Sequence, residues 1–475
     1  MIPNGLLIFI TLILLIITGL ISYVTYKVYK ELKDPVTIGN TVGVSQTGSL
    51  TIGNTVGVSQ TGIIDSNIIP VYGERDLFER ERVAIPYTLG DYAHIYGINP
   101  DFFDIIEGGA SITYTENKAL ARLELTGGVS GNCKHQTKRY HHYMPGKSQT
   151  LLSSFIFYQA QENVTKKTGL FDDINGLYLQ QDGDGTLSFV IESGTSSPSE
   201  LTSVPQSNWN IDKADGTGKS GYNIDINKTQ LMFITYQWLG VGNVDFGFVD
   251  NSNYILCHSF VHDNLTDEVY LSNPNLPVSC QIQSSVGVSS TYFDQICSTV
   301  ISEGGYGDAG RIWSAGTSVY TSITSNAEIP IIAIKLKDSF GTFNYHNRVV
   351  TTLGNVNLIT AGENIVYSVK KANRSSDLSA STWYDVNIES ACQYATNFTL
   401  PSSDFFEIEG GFASGSTQGN KPSGFTGAEP PVVSRQNYIV QNVDSNDSET
   451  FYITAKRLGT NNTSVAANIQ WREIF

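Results

Sequence analysis

An all-β protein is what this sequence predicts: a β-sandwich body with a second β-domain, preceded by one N-terminal transmembrane helix and a short β-repeat stalk. Three observations carry that expectation. Strand-type alternation of apolar residues recurs along most of the chain and is densest in residues 229–260. Charged residues make up only 16% of the 475, against ~25% in an average soluble domain, while Gly, Ser, Thr, Asn and the aromatics are abundant. The start of the chain holds a long uncharged apolar run and, after it, a tandem repeat.

Residues 1–4 are a short tail without Lys or Arg. Gly5 to Val24, GLLIFITLILLIITGLISYV, contains no charge, and at ~1.5 Å per residue it reaches across a ~30 Å hydrocarbon core. A cleaved signal would want a basic start, a shorter run and a small-residue cleavage site, so residues 5–26 are read as a membrane anchor, with the bilayer as partner. Tyr23 and Tyr26 fall at the interface. Lys27, Lys30 and Lys33 flank only the C-terminal side, which places the body on the cytoplasmic or capsid side. Asp34-Pro35 ends the helix. Within the 27–64 linker, TIGNTVGVSQTGSL is followed by TIGNTVGVSQTGII. Two copies are too few for a solenoid; three chains wound together would make a trimeric stalk, and one alone a spacer.

Residues 65–120 read as a lead-in, with a helical turn at 101–106. The main sandwich is expected over 121–346. Its core is TQLMFITYQ, with Leu231, Phe233 and Thr235 on one face and Met232, Ile234 and Tyr236 on the other. Val244 to Phe260 follow as a hairpin around Asp250-Asn251-Ser252-Asn253. A further strand series, with a Gly/Ser/Pro loop at 414–429, defines a C-terminal β-domain over 347–475.

No motif identifies a catalytic, cofactor or metal site. Gly216-Thr217-Gly218-Lys219-Ser220-Gly221 lacks the glycine and the following helix of a P-loop and reads as a turn. Asp182-Gly183-Asp184-Gly185 opens like a calcium loop, but Leu187 and Ser193 stand where Gly and Glu belong, which leaves a hairpin turn. Cys133, His135, His141 and His142 match no zinc framework. Asp172-Asp173, or Asp182 with Glu192, are the carboxylate pairs a glycosidase would need; the expectation is no enzyme. A net charge of −16 argues against a nucleic-acid partner. The basic stretch Lys134 to Lys147 is read as a solvated loop. Cys133, Cys257, Cys280, Cys297 and Cys392 are expected to be free thiols, and the N-x-[ST] sequons to carry no glycan.

One resemblance adds to this reading. Trp209-Asn210-Ile211-Asp212-Lys213, Trp238-Leu239-Gly240-Val241-Gly242, His258-Ser259-Phe260, Pro274-Asn275-Leu276-Pro277 and the closing AANIQWRE occur in the order seen in a β-rich family of virion structural proteins of marine phages and large DNA viruses. The chain resembles that family over roughly 120–475. The resemblance implies a jelly-roll or lectin-like body in a minor capsid or fibre-like component, linking an internal membrane to the capsid shell with other capsid proteins as partners. The alternative is an outward-facing lectin-like attachment module that binds host glycans through loop aromatics such as Trp313 or Trp383.

Overall fold

The computed structural model describes residues 14–24, 27, 85–305, 310–341, 346–380, 382–401, 405–415, 438–442 and 447–475. The chain divides into two compact units, Met1–Ile68 and Ile69–Phe475. In the first, residues 14–24 are helical. Leu14, Leu15, Ile16, Ile17, Leu20, Ile21 and Val24 are all exposed, and Thr18 returns its hydroxyl to the Leu14 carbonyl at 2.9 Å. No helix among the described residues is long and apolar enough to cross a membrane. The remainder of the expected 5–26 anchor, and the repeat at 37–64, lie outside the described residues.

The second unit is all-β and entirely antiparallel in its named strand pairs, with an eight-stranded, a seven-stranded, a five-stranded and a six-stranded sheet. In the eight-stranded sheet Gln149–Ile156 lies between Gln230–Tyr236 and Thr291–Ser302. In the seven-stranded sheet Val278–Ser284 lies between Thr165–Phe171 and Gly131–Thr137. One core joins them: Leu151, Phe155, Phe246 and Phe293 from the first sheet pack with Leu170, Leu177, Phe189 and Ile282 from the second. This is the first sandwich. The second has its own core, in which Val356, Ile469 and Trp471 of the five-stranded sheet meet Ile332, Ile334, Val369 and Ile453 of the six-stranded one.

The hairpin at the heart of the sequence reading forms as Val244–Asp250 and Asn253–Phe260, and Phe246 is fully buried, stacked on Phe189 at 4.7 Å. Its return strand departs from strict alternation. Phe246 opposes His258 and Gly247 opposes Leu256, so a bulge at Cys257 lets Ile255, Cys257 and Phe260 all meet the core. Of the two faces of Gln230–Tyr236, Met232, Ile234 and Tyr236 belong to the core. Phe233 is buried beneath the Tyr254 ring on the other face, where Leu231 is 38% exposed. Phe246→Ala is expected to cost about 3–5 kcal/mol in chemical denaturation; a loss under about 1 kcal/mol would place the ring outside the core.

Three expectations are corrected. The expected helical turn at 101–106 is part of the strand Phe102–Gly108, paired along its length with Gly131–Thr137; tertiary pairing overrides a local pattern too short to choose a period. Of the expected 65–120 lead-in, residues 65–84 lie outside the described residues, while Tyr87–Ala93, Phe102–Gly108 and Ala110–Thr115 are strands of the first sandwich. The 346/347 boundary also moves. Arg311–Gly316, Thr321–Ile323 and Ile329–Leu336 belong to the second sandwich, because their partners, Thr463–Ile474 and Thr450–Arg457, come from the end of the sequence.

Candidate functional site at the seam between the sandwiches

The basic stretch Lys134 to Lys147, expected to be a solvated loop, lies largely in the interior. Lys134, Lys138 and Arg139 are under 10% exposed, and His135 and His141 are fully buried. The segment begins as an inner strand of the seven-stranded sheet and then runs against the second sandwich, so its charges meet partners that are distant in sequence. Lys134 pairs with Asp173 at 2.7 Å. The Arg139 guanidinium donates to the Leu89 carbonyl at 2.6 Å and faces the Tyr438 ring. Tyr140 lies 5.1 Å beneath Arg348, which pairs with the buried Asp172, and the ring of His346 is beside it. A His142 ring nitrogen bonds to the backbone of Phe475. Basic side chains in a charge-poor sequence are thus the cement between two β-bodies.

Burial favours the neutral form of His94, His141, His142 and His346, and the tautomers of His141 and His94 follow from their partners. His141 Nδ1 faces the Leu276 carbonyl at 2.9 Å, which can only accept, so Nδ1 carries the proton and Nε2 accepts from the Tyr92 hydroxyl at 2.8 Å. Burial drives its pKa down to about 3. His94 accepts the Asn99 backbone N–H at Nδ1 and donates from Nε2 to Gln295 at 2.6 Å, and burial lowers it to about 4. His135 is stacked on Phe102 at 4.0 Å and bonds Asp104 at 2.5 Å. Burial also holds His142 and His346 below their ordinary range. Several polar atoms here have no partner among the described residues, among them His142 Nδ1, His346 Nε2, Arg139 Nε and Arg348 Nε. Buried groups of this kind call for ordered water.

The other sequence candidates are dispersed and occupied. Asp172 Oδ1 accepts the backbone N–H groups of Ile174 and Asn175 besides pairing with Arg348. Asp182 accepts from Gln180, and Glu192 accepts from Tyr178 and Ser199. Asp182–Thr186 closes a hairpin, with Asp184 capping the Thr186 N–H. The glycine-rich stretch 216–221 wraps the buried Asp212, whose two oxygens accept from Ala214 and Ser220. A Cβ at Gly218 would fall inside that carboxylate, which explains the glycine without a phosphate. Trp313 and Trp383 are half-buried, and Lys335 lies 5.3 Å over Trp383. All five cysteines are free, four of them buried. Among the described residues no three His, Cys, Asp or Glu gather as metal ligands.

Sequence reasoning missed Arg348, His346, Tyr438 and the ion pair of Lys371 with Glu449. Lys371 and Glu449 meet at 2.8 Å, each 1% exposed, and Lys371 also donates to the Tyr438 carbonyl at 2.7 Å. The available signal was the concentration of cations and histidines at 134–147 in a sequence with few charges.

No family model matches the chain, and no curated protein matches it. Among solved structures, it is similar to the Emp47p carbohydrate recognition domain at 14% identity, over 46% of this chain and 96% of that one, with a TM-score of 0.29. It is similar to the exoplasmic/lumenal domain of VIP36 in a Ca2+/Man3GlcNAc-bound form at 11% identity, over 45% and 87%, TM-score 0.29. It is also similar to the CBM2 module of an evolved Dit of Lactobacillus casei BL23 phage J-1 at 8% identity, over 46% and 95%, TM-score 0.30.

Proposed function

We propose that the chain is a non-catalytic, membrane-anchored structural component of a virion, a minor capsid or fibre-like protein whose two-sandwich body lies on the capsid side of an internal membrane. The observation that carries the reading is the helix at 14–24, whose Leu, Ile and Val side chains are exposed around its whole circumference. Such a surface is stable only in apolar surroundings, and the uncharged apolar sequence from Gly5 to Val24 has the number of residues a bilayer span needs. The particle role rests on the ordered family resemblance over 120–475. Ion pairs such as Lys134 with Asp173 and Arg348 with Asp172, which tie distant parts of the sequence together, suit a structural part. The repeat at 37–64 would be the stalk between anchor and body.

A second reading, the outward-facing glycan-binding module, has one observation in its favour. Tyr96 is fully exposed at the crossover between the two sheets of the first sandwich, with the exposed Ile95 beside it, the kind of loop aromatic that stacks on a sugar ring. Two measurements on the full chain separate the readings. The structural role expects silence on a glycan array and an intact mass without glycan on Asn264 or Asn397. Saturable sugar binding, or hexosamine on either sequon, would favour the outward module.

A further inference from the structure

Among the described residues the six-stranded sheet ends in the strand Phe405–Ala413. Phe405–Ala413 pairs with Ile365–Ala372 on one side and, among the described residues, with no strand on the other. Edges of this kind are templates for another strand, and proteins ordinarily blunt them with charged residues, Pro, bulges or short length. This one carries Glu407, Glu409 and one bulge, but it is nine residues long, FFEIEGGFA, and has neither Lys nor Pro. Phe412 is 74% exposed and Phe405 42%.

The register determines which side chains share a face. Phe405 is opposite Ala372, Glu407 opposite Lys370, Gly410 opposite Ser368 and Phe412 opposite Val366, with a bulge at Ile408. Ala372, Lys370, Ser368 and Val366 alternate along their strand, so Phe405, Glu407, Gly410 and Phe412 lie on one face of the sheet. Read in reverse, that series is complementary to itself: Phe, Glu, Gly, Phe meets Phe, Gly, Glu, Phe.

We propose that Phe405–Ala413 is a self-pairing edge, to which a second copy of this chain adds antiparallel about a twofold axis between Ile408 and Glu409. Phe405 then meets Phe412 of the other copy twice, and each Glu407 faces a Gly410, so no two carboxylates oppose each other on that face. An isologous contact of this kind closes after two copies. Any other register that keeps the faces aligned loses both Phe pairs. The second copy is therefore favoured over an unrelated strand by the charge and aromatic order of the edge itself.

The test uses the full chain in detergent. Glu407→Cys and Gly410→Cys are prepared separately and then mixed under mild oxidation. A Cβ at Gly410 meets only the flexible end of Glu407 at 2.9 Å as its nearest contact, so the substitution is tolerated. The pairing predicts a disulfide-linked dimer from the mixture and little from either variant alone, because each new cysteine faces the other position across the axis. Phe412→Lys, at an exposed position, is expected to weaken association about tenfold or more by sedimentation equilibrium. Equal linking in the mixture and in the single variants would overturn the register. Association unchanged by Phe412→Lys, or a monomer that instead binds an unrelated extended apolar peptide at this edge, would overturn the second copy as occupant.

Discussion

Glu449→Gln is expected to destabilise the second sandwich by about 3–5 kcal/mol, because it removes the carboxylate charge paired with the buried Lys371 ammonium. Lys371 and Glu449 are each 1% exposed and 2.8 Å apart. The desolvation of both ions is already built into the native state, so removing one forfeits the attraction and keeps the cost. Removing both is different. Lys371→Met with Glu449→Gln is expected to recover most of the loss, since a well-packed uncharged pair of similar volume is often as stable as a buried ion pair. Urea denaturation of the three variants measures this directly. A single variant no less stable than the double one would show that the pair is reached by solvent.

Acid should unfold this protein well before its carboxylates titrate. His94 is held at about 4, His141 at about 3 and His258 at about 4, and His142, His262 and His346 are lowered as well, in each case chiefly by burial. A depressed histidine binds its proton more readily in the unfolded chain than in the folded one. Its contribution is complete above the unperturbed pKa of ~6.5 and is lost as pH falls through the folded value. Each proton taken up on unfolding steepens the loss by about 1.4 kcal/mol per pH unit. The thermal midpoint should therefore be level near pH 7.5 and fall steeply between pH ~6 and ~4. His94→Gln should make the slope shallower. A midpoint unchanged from pH 6.5 to 5 would mean that these rings are solvated. At the seam the added charges on His141, His142 and His346 would join Arg139 and Arg348, with Asp172, Asp173 and Asp101 as the nearby acids, so the two sandwiches should part before either core opens.

Alternation made the central hairpin legible, because Val244, Phe246 and Phe248 keep one face without interruption. It failed one strand later at Cys257, where a bulge of one residue changes the face and leaves no compositional trace. It failed at 101–106 because Asp-Phe-Phe-Asp-Ile-Ile is short enough to fit either period. The seam was illegible for a different reason. Lys134, Arg139 and His141 look solvated unless one knows that Asp173, Leu89 and Leu276 are brought to them, and those contacts span 39, 50 and 135 positions of sequence. The turns at 182–186 and 216–221 were read correctly as turns because glycine and Asx chemistry is local.

The five-stranded sheet imposes an order on the birth of the protein. Its central strand, Thr463–Ile474, is partner to Arg311–Gly316, Thr321–Ile323 and Val350–Ala361. On the ribosome those three segments emerge first and wait through roughly a hundred or more residues of synthesis for the strand that joins them, an interval of about 5–30 s at ordinary elongation rates. Throughout it Val356, Leu358 and Ala315 have no native cover from that strand. The first sandwich, whose strands are all contained within residues 87–302, can close meanwhile. The nascent chain thus carries one finished body and one open sheet, and chaperone demand should be concentrated on the second.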